Sequence, residues 1–166
     1  MDVQTSPPDG VLYFDIDGVL LSLDEGVKPL LADGALESEL KRLGFSSLVC
    51  VSDWVEAAVE QLPGADVSRR GRWIRSTCKL DAVFPDEDWF IGRLHLAEDT
   101  GNRCRIIDLT TDWYYVDDWA REFLGKEFGD DVYQTEKGRR VLMPDPNSDG
   151  RDILDWLSNI PEIPVD

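Results

Sequence analysis

The sequence contains little histidine, cysteine or positive charge, and each shortage excludes a class of function. His95 is the single histidine in 166 residues, which excludes a multi-histidine metal site and disfavours a Ser-His-Asp triad. Cys50, Cys78 and Cys104 are odd in number and widely spaced, so they provide neither a disulfide framework nor a zinc signature. We therefore expect reduced thiols, with Cys50 buried in an apolar strand.

Positive charge is scarce because 34 acidic residues oppose 17 basic ones, which gives a net charge of −17. This imbalance disfavours broad contact with phosphate backbones and anionic membranes, since both require lysine and arginine. It favours a solvated acidic surface, a basic protein partner or a protein that mimics nucleic acid. The one basic stretch covers residues 69–75, and it is either an exposed turn or a local contact for phosphate.

Long apolar runs are also missing, and no stretch approaches the roughly 18 residues that a membrane-spanning helix needs. Residues 1–10 are polar and proline-rich without the features of a secretory signal, so we expect a flexible lead-in there. The sequence predicts a cytoplasmic protein without membrane contact and with one domain over residues 11–166. The oligomeric state is left open.

An alternation of apolar strands and amphipathic helices predicts an α/β fold. Strands are expected at 11–15, 47–51, 103–109, 113–116 and 140–143, and helices at 35–43, 53–62, 77–84, 86–96, 119–128 and 151–160. The strand at 47–51 is apolar almost throughout, as strands buried on both faces of a parallel sheet are. This order predicts a three-layer, Rossmann-like sandwich with a mostly parallel central sheet.

The first strand carries the most informative motif. Its apolar residues run directly into Asp15-Ile16-Asp17-Gly18, so two carboxylates follow its carboxyl end. In open α/β sheets ligands bind just beyond the carboxyl ends of the strands, and Gly18 permits a sharp turn there. An ordinary strand that ends in a polar turn would show the same residues, because aspartate and glycine are common in turns.

Three further polar groups follow in order along the chain. Ser52 follows the second strand, Lys79 lies at the start of a predicted helix, and Asp117-Asp118 follows a later strand. Each has a simpler explanation: Ser52 as a helix N-cap, Lys79 as a surface lysine, and Asp117-Asp118 as acids at a helix start. Their shared order favours a single site.

This order resembles the motifs of the haloacid dehalogenase (HAD) superfamily, whose members are mostly magnesium-dependent phosphohydrolases. Ser52-Asp53-Trp54 and the ending at 141–150 look like the small domains of this type associated with RNA-repair systems. Neither 20–52 nor 52–79 is long enough for a full cap domain. The resemblance therefore implies a capless, HAD-like domain with an open site, although the stretch 86–112 is longer than these small domains lead us to expect.

The resemblance also implies a role for each motif residue. Asp15 would be the nucleophile that forms an aspartyl-phosphate, and Asp17 would protonate the leaving oxygen and then activate water. Ser52 and Lys79 would hold the phosphoryl oxygens. The implied Mg²⁺ ligands are Asp15, the backbone carbonyl of Asp17, and Asp117 or Asp118.

The resulting hypothesis is a Mg²⁺-dependent phosphatase that acts on a large or exposed phosphomonoester, such as a nucleic-acid end or a phosphoprotein. The alternative is a catalytically silent module of the same fold, which would be an acidic nucleic-acid mimic that binds a basic partner. A phosphotransfer receiver domain fits less well, because its aspartate follows the third strand rather than the first.

Overall fold

The computed structural model describes residues 10–22, 28–98, 102–145 and 149–161. Its strands are β1 (Gly10–Phe14), β2 (Ser47–Cys50), β3 (Leu94–Leu96), β4 (Asp112–Val116) and β5 (Val141–Leu142). Its helices are α1 (Ala35–Leu43), α2 (Trp54–Gln61), α3 (Val67–Thr77), α4 (Glu87–Arg93), α5 (Ala120–Phe128), α6 (Asp130–Glu136) and α7 (Arg151–Ser158). The predicted lead-in lies outside the described residues except for Gly10, which begins β1.

The five strands form one parallel sheet in the order β3-β2-β1-β4-β5. Successive side chains of β1 enter opposite layers: Leu12 and Phe14 belong to the core cluster that contains residues of α1, α2, α3, α4 and α7, whereas Tyr13 belongs to the cluster that contains residues of α5 and α6. This arrangement confirms the predicted three-layer, Rossmann-like α/β fold. The order places β1 at the centre, so its carboxyl end is flanked by β2 and β4.

The strongly patterned elements agree closely with the sequence-based prediction. The helix α1 has the predicted bounds, since Leu36, Leu40 and Leu43 are buried and Gly44 ends the helix at φ 84°. The expected positions of β1, β2, β4, β5, α2, α5 and α7 are correct to within one or two residues. Among the described residues, no helix is long and apolar enough to cross a membrane.

The basic stretch at 69–75 is not a turn but part of α3. Asp66 caps this helix by accepting a hydrogen bond from the Arg69 backbone N–H at 2.9 Å. The helix predicted at 77–84 is wrong, because the chain leaves α3 at Cys78 and continues through turns, with Lys79 at φ 56°. Lys79 therefore follows the end of a helix instead of starting one.

Most arginines of α3 have partners in neighbouring segments. Arg70 lies 3.3 Å from Glu98, and Arg72 lies 3.4 Å from Glu87. The Nε–H of Arg75 donates to the carbonyl of Phe84 at 2.9 Å. Most of the basic residues at 69–75 are therefore accounted for by structural contacts between α3 and the segments that pack against it.

The strand predicted at 103–109 is also wrong, because Arg103–Ile106 form a short 3₁₀ helix. Asn102 caps it by accepting a hydrogen bond from the Cys104 N–H at 2.9 Å. Cys104 and Ile107 are the buried residues, and their spacing of three fits a 3₁₀ turn better than the two-residue period of a strand. The third strand is instead β3, which the prediction had placed inside a helix at 86–96.

Candidate functional site

Three carboxylates converge because β1 and β4 are paired in register. Phe14 lies opposite Val116, and the backbone N–H of Asp15 donates to the carbonyl of Val116 at 3.0 Å. The residue after each strand is an aspartate, so Asp15 and Asp117 are neighbours beyond the sheet. One carboxylate oxygen from each of Asp15, Asp117 and Asp118 lies within 4.8 Å of the other two.

Asp117 is completely buried and is held by fixed hydrogen-bond donors. Its Oδ2 accepts hydrogen bonds from the Tyr115 hydroxyl at 2.7 Å and from Arg103 Nη1 at 3.2 Å. Its Oδ1 accepts one from the backbone N–H of Trp119 at 2.8 Å, at the start of α5. Such charge-assisted bonds are what allow a carboxylate to be buried.

Gly18 makes room for the third carboxylate. Its φ of 79° lies in the left-handed region, and a Cβ at this position would come within 2.7 Å of Asp118 Cγ. A larger residue would meet both backbone strain and this carboxylate. The glycine that follows the two aspartates in the motif is therefore explained by a contact with a residue 100 positions away in the chain.

Negative charge in this cluster exceeds the positive charge beside it. Burial, followed by the charge of Asp117, raises the pKa of Asp15 well above its usual range, although nearby Arg103 opposes the increase. Burial and Asp117 likewise raise the pKa of Asp118 to about 6. An interaction with the side chain of Asp15 opposes this increase in the pKa of Asp118 without cancelling it.

This donor set fits Mg²⁺. The ion prefers carboxylate oxygens, and a divalent charge would offset the excess that raises both pKa values. Asp117 and Asp118 both present an oxygen to the cluster, as does Asp15. The side chain of Asp17 is not a member of this three-residue cluster, and the expected role of its backbone carbonyl stays a prediction.

A cleft of about 390 Å³ opens over the carboxylates. It contains five of the six predicted site residues, and its lining consists of Asp15, Asp17, Ser52, Asp53, Arg103, Asp117, Asp118, Trp119 and Phe123. Lys79 is exposed and is not part of this lining, so its expected contact with phosphate stays a prediction.

Asp17 and Ser52 are both positioned by Trp54. The Trp54 ring Nε1–H donates to Asp17 Oδ1 at 3.3 Å, and its backbone N–H donates to Ser52 Oγ at 3.2 Å. Ser52 thus contacts the backbone at the start of α2, whose N-cap residue is Asp53, and it also lines the cleft. Because its hydroxyl accepts the bond from Trp54, its own hydrogen is not used in that bond and can be donated to a ligand.

Arg103 is the main site residue that the sequence did not indicate. Its side chain is 16% exposed, and it contacts Asp15 and Asp117 at 3.2 Å and Asp53 at 3.3 Å. Its guanidinium carbon also lies 4.2 Å from the ring centroid of Phe123. No local motif predicts these contacts, because they join segments that are distant in sequence.

No family model, curated protein or solved structure matches this chain. The assignment of the site therefore rests on its geometry and chemistry.

The hydrogen bond from Tyr115 to Asp117 provides a test of the buried charge. We expect Tyr115→Phe to lower the free energy of unfolding by about 1.5–3 kcal/mol at pH 7, as for bonds to charged groups. Tyr13→Phe is the matched control, because its hydroxyl lies 3.3–3.4 Å from backbone groups only. We expect Tyr13→Phe to lower the free energy of unfolding by only about 0.5–1.5 kcal/mol, and urea unfolding of both variants measures the difference. Equal losses for the two variants would contradict a larger contribution from the bond to the buried Asp117 carboxylate.

The raised pKa of Asp118 predicts a pH-dependent effect of its removal. Between about pH 4 and pH 6 the folded protein retains a proton that the unfolded chain has lost, so ionisation of Asp118 destabilises the metal-free fold as pH rises through this window. Asp118→Asn should therefore raise Tm in EDTA at pH 7.5 but not at pH 4. Because the group is partly exposed, solvent screening reduces the gain to about 2–4 °C.

Asp88→Asn on α4 is the control, since it removes the same charge from an exposed position outside the cleft. It accounts for the general relief of repulsion in a protein with a net charge of −17. The same increase in Tm for both variants at pH 7.5 would contradict the account of Asp118.

Proposed function

We propose that this protein is a Mg²⁺-dependent phosphohydrolase of the haloacid dehalogenase type, which acts through an aspartyl-phosphate on Asp15. The observation that carries this proposal is the convergence of Asp15, Asp117 and Asp118 at the ends of paired strands. Asp17 and Ser52 line the same cleft, which supports the proposal.

The reaction would have two steps at one carboxylate. In the first, an Asp15 oxygen attacks phosphorus, the bond from phosphorus to the leaving oxygen breaks, and Asp17 donates a proton to that oxygen. In the second, water attacks the phosphorus of the aspartyl-phosphate while Asp17 takes a proton from the water. Inorganic phosphate leaves and Asp15 is restored. The exposed position of Asp17, with Trp54 fixing one oxygen, supports this role.

Positive charge and hydrogen-bond donors would hold the phosphoryl group. When bound, Mg²⁺ supplies the charge that three carboxylates and a phosphate require. Ser52 would donate its hydroxyl hydrogen to a phosphoryl oxygen. Lys79 would be the second contact of the phosphoryl group in this proposal, although it is not among the residues that line the cleft.

The proposed substrate is a phosphomonoester on a large molecule. The described residues between 20 and 52 form α1 and β2, and those between 52 and 79 form α2 and α3, which supports a capless arrangement with an open cleft. Trp119 lines this cleft and is 58% exposed, so it offers a surface on which a nucleobase or an aromatic side chain can pack. We therefore propose a nucleic-acid end or a phosphoprotein as the substrate, in keeping with the resemblance to domains of RNA-repair systems.

The second candidate is a catalytically silent module that binds a basic protein as a nucleic-acid mimic. The net charge of −17 favours it, since the chain is far more acidic than a folded domain needs to be. It predicts a salt-sensitive complex and no metal-dependent turnover.

A phosphatase panel with and without Mg²⁺ tests the proposal. It should include an aryl phosphate, a phosphopeptide, and RNA and DNA with 3′ or 5′ phosphates. We expect Mg²⁺-dependent release of phosphate, with kcat reduced more than about 10³-fold in Asp15→Asn because the nucleophile is lost. Asp88→Asn, outside the cleft, should retain the activity of the unmodified chain. Full activity of a folded Asp15→Asn protein, or turnover that is unaffected by EDTA, would contradict the assignment.

A further inference from the structure

Arg103 occupies the space between two of the proposed metal ligands. Its Nη1 lies 3.2 Å from Asp15 Oδ1 and equally 3.2 Å from Asp117 Oδ2. One nitrogen thus bridges the two buried carboxylates. Its Nη2 lies 3.3 Å from Asp53, whose side chain is 86% exposed at the outer side of the cleft.

This guanidinium is held in place from behind. Asn102 caps the 3₁₀ helix that carries Arg103, and its Nδ2 donates to the carbonyl of Phe123 at 2.7 Å. The ring of Phe123 lies beneath the guanidinium at 4.2 Å. A short helix fixed to α5 therefore delivers a single positive charge to the cluster, and the ring contact favours that charge.

A divalent ion and this guanidinium need the same oxygens. A metal bound by Asp15 and Asp117 would bring a charge of +2 to within a few ångströms of Nη1, where the two cations repel each other. Asp53 already contacts Nη2, the second terminal nitrogen of the Arg103 guanidinium, and it is not a member of the three-carboxylate cluster. It therefore offers Arg103 a partner that does not compete with the metal.

We infer that Arg103 is a tethered cation that competes with the divalent metal for Asp15 and Asp117. This inference rests on the proposed function, because it assumes the metal site. In the metal-free protein Arg103 partly neutralises the carboxylates and holds them together. Metal binding displaces it toward Asp53, so the affinity of the site for metal is lower than three carboxylates alone would give.

Calorimetric titration with Mn²⁺ tests the competition directly. We compare the unmodified protein, Arg103→Gln and the matched control Arg105→Gln, which removes the same charge from the same 3₁₀ helix. Arg105 is exposed and contacts Glu127 at 4.0 Å, outside the cleft lining. We expect the Kd for Mn²⁺ to fall at least about tenfold in Arg103→Gln and to change less than about twofold in Arg105→Gln.

The outcomes separate this inference from the proposed function. Unchanged or weaker binding by Arg103→Gln, with Mn²⁺ still bound by the unmodified protein, would overturn the competition and leave the metal site standing. Absence of Mn²⁺ binding in all three proteins would overturn both. Binding that is detected in Arg103→Gln alone would support the competition strongly.

A second measurement covers the case in which Arg103→Gln fails to fold. The Nε–H signal of Arg103 in ¹⁵N NMR of the unmodified protein, assigned by its loss in Arg103→Lys, should shift as Mg²⁺ is added, because the guanidinium leaves Asp15 and Asp117. If this signal does not move at Mg²⁺ concentrations that saturate the site, Arg103 is not displaced and the inference fails.

Discussion

The convergence of three carboxylates at one point, two of them buried, is the constraint on which the rest of this site depends. Asp15 and Asp117 are removed from water, and Asp118 is half-buried beside them. An uncompensated charge in such a place is costly, so the surrounding structure provides hydroxyl, backbone and guanidinium donors. These donors are insufficient, as the raised pKa values of Asp15 and Asp118 indicate. Without a bound cation, apolar residues at these three positions would give a more stable fold than the carboxylates do. The presence of carboxylates at an energetic cost is therefore the physical argument that the cluster is a functional site.

The same constraint links the sheet to the chemistry. Parallel pairing of β1 with β4 sets two aspartates side by side, and pairing of β1 with β2 brings Ser52 to the same edge. The turn after β1 then carries Asp17 to the rim of the cleft, where Trp54 holds it. Gly18 is required because the backbone of this turn passes against Asp118. The positions of the proposed nucleophile and phosphate contact are thus consequences of strand register, whereas the position of the proposed proton carrier depends on the turn after β1.

The sequence was sufficient for four of the five strands in the described sheet and for most of the carboxylate site, because these depend on local patterns. Apolar strands that end in aspartate or serine can be recognised in the amino-acid sequence, and a parallel sheet brings the carboxyl ends of such strands together. The region between α2 and β4 was predicted poorly for a physical reason. Short elements such as β3 and the 3₁₀ helix at Arg103 are stabilised by packing against distant residues, so their own patterns are weak. Arg103 was missed for the same reason, since its partners are set by tertiary contacts, and the position of Lys79 changed once α3 extended through the basic stretch.

The most direct test of the central claim is a crystal structure of the protein soaked in Mn²⁺, examined for anomalous scattering. We expect a single strong peak within about 2.3 Å of oxygens from Asp15 and from Asp117, Asp118 or both. Such a map would also show which of the two neighbouring aspartates binds the ion. A map without a peak at this cluster, at Mn²⁺ concentrations that saturate ordinary magnesium sites, would contradict the account.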